Sequence, residues 1–254
     1  MNRLRQLAER GTAVWLDFLS REIINNGHLQ RLIDDDGLAG ITANPSIFEK
    51  AMGESEAYDD GIKALVGDGS LPVNRIYERL ATADIASAAD MLRPLYDRTE
   101  GRHGFVSIEV SPYLAMDTAA TMVEARRLWT EVQRDNVFIK VPATPPGIPA
   151  IRDLLAEGIN INITLLFSQK VYEEVVEAFF SGLEKRAANG APIDRMASVA
   201  SFFVSRIDTA VDKLLDDAAV HATNAKERTA LLDLRGKVAI ANAKLAYRRW
   251  QKRR

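Results

Sequence analysis

The chain has 254 residues, of which 47% are hydrophobic and 27% charged, as is typical of a globular protein with a sizeable core. The formal net charge of −2 argues against a general nucleic-acid-binding or membrane-surface protein, and the lack of cysteine excludes disulfides and thiolate chemistry. Residues 1–7 lack the apolar centre of a secretory signal, and no apolar stretch could span a bilayer. We therefore expect a cytoplasmic protein that binds neither nucleic acid nor membrane.

Short apolar runs alternate with longer segments of helical periodicity along the chain. This alternation predicts parallel strands joined by crossover helices. Predicted strands cover 13–17, 39–44, 105–110, 137–141, 161–166 and 196–202. Predicted helices cover 118–132, 148–157, 169–188 and 205–220. The segment at about 45–100 is longer than one crossover, and we predict it to be a helical insertion within a single domain over 1–254.

Polar residues along the strands favour a barrel over a doubly wound sheet, whose strands should be apolar on both faces. Here only one face of each predicted strand is apolar. In the 105–110 strand, Val106, Ile108 and Val110 share one face and Glu109 lies on the other. In the 161–166 strand, Ile161, Ile163 and Leu165 share one face and Asn162 and Thr164 lie on the other. The pattern predicts an α/β fold of the (β/α)8 TIM-barrel type, with the polar positions facing the lumen. Only about six of the eight strand–helix units are recognisable, and the chain stops within a helical pattern at 235–254.

Lys140 lies inside the apolar run 137–141, where a lysine has no structural reason to be. A buried cation is expensive unless it is paired or loses its proton, so Lys140 is a candidate catalyst. A lysine must be neutral to attack a ketone, and for a free lysine (reference pKa about 10.4) this costs roughly 4–5 kcal/mol at pH 7. Burial favours the neutral amine. The alternative is a strand-end lysine whose ammonium group reaches solvent.

In a barrel, the lumen would collect a set of polar residues near the carboxyl ends of the strands: Asp17, Thr42, Asn44, Glu109, Lys140, Asn162, Thr164 and Ser201. One lysine, two carboxylates, two amides and several hydroxyls suit an enzyme that forms a Schiff base. The iminium serves as an electron sink for carbon–carbon cleavage. One carboxylate can then move the proton of the substrate hydroxyl, and the other can activate the water used in imine chemistry.

Structural roles are open for several of these residues. Asp17 could cap a helix that starts near Ser20, and Asn44 before Pro45 is typical of a turn. Thr164 is ordinary in a strand. Glu109 is harder to explain structurally, because a buried carboxylate needs a partner.

Other chemistries find little support in the sequence. His28, His103 and His221 show no spacing typical of metal ligands, so no metal site is expected. Neither a Gly-x-Gly-x-x-Gly pattern nor a P-loop is present, which argues against dinucleotide and nucleoside triphosphate binding.

Four segments of the sequence carry a resemblance to a known family: Ile41-Thr42-Ala43-Asn44-Pro45-Ser46, Phe138-Ile139-Lys140-Val141-Pro142-Ala143-Thr144, Ile163-Thr164-Leu165-Leu166-Phe167-Ser168 and Ser201-Phe202-Phe203-Val204-Ser205-Arg206. In these segments and in their order, the chain resembles the transaldolase family from about residue 11 to 254. The second segment is similar to the family's lysine strand. The resemblance implies transfer of a dihydroxyacetone unit from fructose 6-phosphate to erythrose 4-phosphate in the non-oxidative pentose phosphate pathway, without any cofactor.

The resemblance also implies roles for single residues. Lys140 would form the imine and Asp17 would act as acid and base in aldol cleavage, whereas Glu109 with Thr164 would activate water. Substrate binding would fall to Thr42, Asn44 and Asn162 and, at the phosphate, to Ser201 and Arg206. The alternative for Arg206 is a solvated arginine in the first turn of a helix.

The chain departs from the family at its C-terminus, where family members continue through two further strand–helix units. A truncated or split protein is therefore one interpretation, and a homodimer or a complementing C-terminal segment is an expected partner besides the sugar phosphates. Two other functions stay open: a related lysine-dependent aldolase that releases free dihydroxyacetone, and an inactive fragment.

Overall fold

The computed structural model describes residues 2–67, 69 and 71–253. Within these residues, six strands form one sheet in which every neighbouring pair is parallel and the spatial order equals the chain order. The strands are β1 (Trp15–Leu16), β2 (Gly40–Thr42), β3 (Phe105–Glu109), β4 (Val137–Pro142), β5 (Ile161–Leu166) and β6 (Ser198–Phe202). This is the strand order of an α/β barrel, so the predicted fold class, with about six of eight units, is confirmed.

Helices fill the connections between the strands. Those found in the described residues are α1 (Arg3–Glu9), α2 (Arg21–Asn25), α3 (His28–Asp36), α4 (Pro45–Glu54), α5 (Asp59–Gly67), α6 (Val73–Arg98), α7 (Thr118–Val132), α8 (Gly147–Glu157), α9 (Gln169–Ala188), α10 (Ser205–Val220), α11 (Ala225–Leu232) and α12 (Val238–Gln251). Short 3₁₀ helices cover Glu56–Tyr58 and Pro112–Leu114. The predicted insertion between β2 and β3 thus consists of α4, one 3₁₀ turn, α5 and the long α6.

The two faces of the sheet bury different side chains, as the alternation predicts. Val106 and Ile108 of β3, with Val137 and Ile139 of β4, belong to the main hydrophobic core beneath the helices. The other face carries a separate aromatic cluster formed by Tyr96, Phe105 and Phe138, with Trp15 packed against it. The polar face of each strand is therefore the inner one.

The sheet curls around this inner cluster. Trp15 of β1 stacks on Phe138 of β4, with 6.1 Å between the ring centroids. In a flat sheet these strands would lie three spacings apart, or about 14 Å. Gly40 of β2 lies directly beneath Trp15, and a Cβ atom at that position would come within 2.4 Å of the indole. Glycine is therefore required for β1 to fold over its neighbour.

The wall is open between the first and last strands. Among the described residues, β1 pairs only with β2, and β6 pairs only with β5. A cavity of about 630 Å³ between these edges is lined by Trp15, Phe138 and Val199, and by Trp250 of α12. The inner aromatic cluster therefore faces this opening.

The structure corrects three local predictions. β1 ends at Leu16, so Asp17 lies on a bend after the strand and not within it. β2 ends at Thr42, and Asn44 begins α4 as its N-cap. The alternation along β5 breaks after Thr164: a register shift lies between Ile163 and Leu166, and Leu165 has φ +60° and is 40% exposed. Leu165 therefore does not share the apolar face, because the bulge moves the chain by one residue.

None of the helices in the described residues combines the length and the apolar character needed to cross a bilayer.

Candidate active site

Lys140 and Glu109 form an ion pair at the carboxyl ends of two neighbouring strands. They are partners in the β3–β4 register, and Lys140 Nζ lies 3.1 Å from Glu109 Oε2. The ammonium group also donates to the Ala43 carbonyl oxygen at the end of β2, at 3.1 Å. Lys140 is only 8% exposed, so its ammonium does not reach out to solvent and that alternative is wrong. The carboxylate provides both a counter-charge for the ammonium and an acceptor for its proton.

Asn162 lies beside this pair and is held in one orientation. It is the β5 partner of Lys140 in the register and is 2% exposed. Its amide nitrogen donates to Ser107 Oγ at 3.1 Å, and its Oδ1 accepts from the Ser201 hydroxyl at 2.6 Å. Because both ends of the amide are bound, Asn162 cannot turn without breaking a buried hydrogen bond.

Ser107 is a site residue that the sequence analysis missed. It is fully buried on the inner face of β3, two positions before Glu109, and lies opposite Thr42 of β2 in the register. The signal was present, since the alternation that selects Glu109 also selects Ser107. A serine in a strand is unremarkable by itself, whereas a buried carboxylate demands a partner.

Thr164 contributes a hydroxyl that is not satisfied by protein. It is 7% exposed, and its Oγ1 has no hydrogen-bond partner in the described part of the chain. Buried polar groups are normally paired. This hydroxyl is therefore available to hold a water molecule or a substrate group at the end of β5.

Asn44 lies just beyond the end of β2. Its Oδ1 accepts from the Ile47 backbone N–H at 3.0 Å and caps α4, so its structural role is that of a helix cap and not of the turn residue that Asn-Pro suggested. Its amide nitrogen has no hydrogen-bond partner among residues 2–67, 69 and 71–253 and can still donate to a ligand. The structural role and a binding role are therefore compatible.

Asp17 and Arg206 lie apart from the central contacts. Asp17 is exposed on its bend, and it makes no hydrogen bond or ion pair with any residue that the structure describes. Ser20 is the N-cap of α2, so the capping alternative for Asp17 is wrong. Arg206 is exposed in the first turn of α10, where its guanidinium lies 4.8 Å from the centre of the Phe203 ring. Both flank the inner face from β1 and β6, the edge strands.

A cavity of about 400 Å³ lies beside Glu109, and Asn44 and Tyr77 also line it. Tyr77 comes from α6 of the insertion, and its hydroxyl donates to the Pro45 carbonyl at 3.4 Å. Burial, together with the nearby carboxylates of Glu49, Glu109 and Glu78, raises the pKa of Tyr77 to about 12. Tyr77 thus stays a neutral donor beside the site, and sequence reasoning did not single it out.

Across the described residues, no three His, Cys, Asp or Glu side chains are grouped so that they could hold a metal ion.

Comparison with known proteins supports the resemblance noted in the sequence. Residues 14–254 match the family model described as Transaldolase/Fructose-6-phosphate aldolase. A protein named transaldolase 2 from Nostoc sp. is 48% identical over 253 residues, which cover 99% of this chain and 66% of that protein. A transaldolase from Trichodesmium erythraeum is 46% identical over 251 residues, with the same shares. For transaldolase 2 from Streptomyces coelicolor the identity is 46% over 248 residues, covering 98% of this chain and 64% of the relative.

The chain thus spans 64–66% of the length of these curated relatives. The family match nevertheless covers nearly all of it and includes every strand of the sheet. The chain belongs to the transaldolase/fructose-6-phosphate aldolase family.

Proposed function

We propose that this chain carries transaldolase chemistry, transferring a dihydroxyacetone unit from fructose 6-phosphate to erythrose 4-phosphate. The products would be glyceraldehyde 3-phosphate and sedoheptulose 7-phosphate, in the cytoplasmic non-oxidative pentose phosphate pathway. The observation that carries the proposal is the contact between the buried Lys140 ammonium and Glu109 on the inner face of the sheet. The reaction is a rearrangement of carbon–carbon bonds and proceeds without a cofactor.

Imine formation needs a neutral amine and a proton carrier. Glu109 accepts a proton from the Lys140 ammonium, and the freed amine adds to the C2 carbonyl of the ketose. Glu109 returns this proton to the C2 oxygen to give a carbinolamine. It then carries a second proton from the nitrogen to the same oxygen, which leaves as water as the C=N bond forms. The unpartnered hydroxyl of Thr164 would hold that water, while the fixed amide of Asn162 and the free amide nitrogen of Asn44 bind substrate hydroxyls.

Carbon–carbon cleavage uses a different group. Asp17 takes the proton of the C4 hydroxyl, the C3–C4 bond breaks, and its electron pair moves into the iminium to leave an enamine on Lys140. Glyceraldehyde 3-phosphate departs. The enamine then attacks the aldehyde of erythrose 4-phosphate, Asp17 returns the proton, and hydrolysis at Glu109 and Thr164 releases the product.

Phosphate binding would fall to the end of β6 and the start of α10. Arg206 supplies a positive charge there, at a helix N-terminus that favours anions. Ser201 already donates its hydroxyl hydrogen to Asn162, so a phosphate contact through Ser201 would require that hydroxyl to rotate.

Borohydride trapping tests the proposal. Reduction in the presence of fructose 6-phosphate should attach a sugar fragment to the wild-type chain, and peptide mass spectrometry should locate it on Lys140. Lys140→Met should abolish the adduct, whereas Lys185→Met, which removes an exposed lysine paired with Asp153, should not. An adduct that persists in folded Lys140→Met protein would refute the proposal.

A lysine-dependent aldolase that releases free dihydroxyacetone is the second candidate. The matched family model, which is described as covering fructose-6-phosphate aldolases as well as transaldolases, supports it. An acceptor-dependence assay separates the two activities: transfer requires erythrose 4-phosphate, whereas the aldolase releases dihydroxyacetone without it. An inactive fragment would form neither product.

The same open edges are where a macromolecular partner would bind. Unpaired strand edges attract further strands, so a second copy of the chain or a complementing C-terminal segment would pair with β1 or β6. Light scattering of the purified chain would detect the homodimer.

A further inference from the structure

Arg21 lies four residues after Asp17 in the chain and forms a partly buried ion pair with Asp84. We propose that Arg21, clamped by Asp84 and Tyr58 of the helical insertion, is a positioning residue that sets the place of Asp17. This inference rests on the proposed function, because it takes Asp17 to be the group that moves the proton in carbon–carbon cleavage.

Arg21 is the first residue of α2, and the insertion holds it in three ways. Its backbone N–H donates to the Tyr58 hydroxyl at 2.8 Å. Its Nε and Nη2 both lie 2.9 Å from Asp84 Oδ1. Its guanidinium also lies over the Tyr58 ring, 4.7 Å from the ring centre. Backbone and side chain are therefore both fixed.

The chain between Asp17 and Arg21 transmits this constraint. Leu19 is fully buried and Ser20 is 4% exposed, whereas Asp17 is exposed. On the other side of the bend, β1 has two residues and pairs only with β2 in the described chain. Such a short edge strand is a weak anchor, so the Arg21 clamp is the firmer of the two supports for Asp17.

The energetics of the Arg21–Asp84 pair favour a role in positioning Arg21 over a role in stabilising the fold. Asp84 is 3% exposed, and its Oδ2 has no hydrogen-bond partner among the described residues. Burial raises the pKa of Asp84 despite the opposing effects of the Tyr58 hydroxyl and Arg21. Replacing a buried ion pair with apolar residues is often neutral or stabilising. An incompletely satisfied pair at this position is therefore a poor means of adding stability, whereas it does fix Arg21 in one place.

Gly61 of α5 provides the space for the guanidinium. A Cβ atom at this position would come within 2.9 Å of Arg21 Nη1 and within 2.9 Å of Leu80 Cδ2. Gly61→Ala therefore displaces Arg21 while it removes no charge and no catalytic group. Gly53 in α4 is a matched control, because a Cβ there would meet nothing within 4 Å.

The chemistry provides a readout that a general loss of stability would not reproduce. Dihydroxyacetone forms an imine with Lys140 without any carbon–carbon cleavage, so its trapping by borohydride does not require Asp17. Transfer from fructose 6-phosphate requires both residues. Displacing Asp17 should therefore lower transfer and leave trapping of dihydroxyacetone unchanged.

The experiment compares four variants with the wild-type chain. Gly61→Ala and the double variant Arg21→Met/Asp84→Leu should lower kcat for transfer by about 10²-fold, the loss expected from a misplacement of about 1 Å. Their trapping rate with dihydroxyacetone should stay at the wild-type level, because imine formation does not use Asp17. Gly53→Ala and Asp90→Asn, which breaks a surface pair between α6 and Arg134, should match wild type in both assays.

Two results would overturn the inference. One is an equal fall of transfer and trapping in both test variants, which would indicate a general structural defect. The other is unchanged transfer in variants that melt like the wild type. If wild-type Lys140 is not trapped by either ketose, the proposed function itself fails and this inference fails with it.

Discussion

Lys140 and Glu109 are direct register partners on neighbouring parallel strands, and 3.1 Å separates Nζ from Oε2. The pair stands on the inner face, next to the bound amide of Asn162. A carboxylate in this place stabilises the buried ammonium, and under the proposed function it would accept the ammonium proton when the amine attacks. One contact thus explains why a lysine is tolerated there and, under that proposal, how it would become reactive.

Glu109→Gln should slow imine formation. Glutamine keeps the shape of the side chain but cannot accept the proton of the ammonium, so we expect the trapping rate to fall by about 10²-fold or more. Rapid-quench borohydride trapping with dihydroxyacetone measures this rate. Glu157→Gln, which loosens a surface pair with Arg126, is the control and should trap at the wild-type rate.

Ser107→Ala should lower both stability and turnover. It leaves the buried amide nitrogen of Asn162 without its acceptor, which should destabilise the fold by about 1–3 kcal/mol. Urea unfolding measures the loss. Ser87→Ala removes an exposed hydroxyl on α6 and should change stability by less than about 0.5 kcal/mol. Equal effects of the two substitutions would argue against a role for Ser107 in holding Asn162.

Asp84 should make stability depend on pH in a direction opposite to that of most carboxylates. Burial raises its pKa in the folded chain above the unfolded value of about 3.9, so the folded state keeps this proton over a range where the unfolded state has lost it. The free energy of unfolding should therefore decrease as pH rises from the unfolded pKa through the folded one.

The comparison with Asp84→Asn isolates this effect, because all other groups titrate alike in both chains. The stability of the wild type relative to the variant should be greatest below the unfolded pKa of about 3.9 and should decline as the pH rises through the folded pKa. Urea unfolding at several pH values would measure it, and a difference that grows as the pH rises would contradict the pKa shift.

Gly40→Ala should detach β1 from the sheet. The added Cβ would collide with the Trp15 indole at 2.4–2.7 Å, and overpacking of this kind destabilises a fold by about 1–3 kcal/mol. Hydrogen exchange should show the loss first in β1 and β2. Gly53→Ala, in open space, should leave the exchange pattern unchanged.

Local signals were sufficient to predict much of the helical framework. α7 and α9 begin and end where their periodicity predicts, and both begin after a capping side chain, Asp117 and Ser168 respectively. The alternation along β3 and β4 likewise placed Glu109 and Lys140 on the inner face. These features depend only on neighbours in sequence.

Features that depend on distant residues could not be predicted from the sequence. The bulge that exposes Leu165 to solvent arises from the shift in register between β5 and β6. The clamp on Arg21 joins residues 63 positions apart. Ser107 becomes significant only when β5 brings Asn162 within reach of it. No local pattern encodes such pairings, because each is decided by how the sheet curls.

The opening between β1 and β6 is lined by tryptophans, so their fluorescence reports whether it is open or covered. Two of its three tryptophans, Trp15 and Trp250, line that opening, and Trp15 also stacks on Phe138, two residues before Lys140 in β4. Any polypeptide that seals the gap would exclude water from both indoles. Their emission should then shift to shorter wavelength and become harder to quench with iodide, so closure of the wall can be followed by fluorescence without a label.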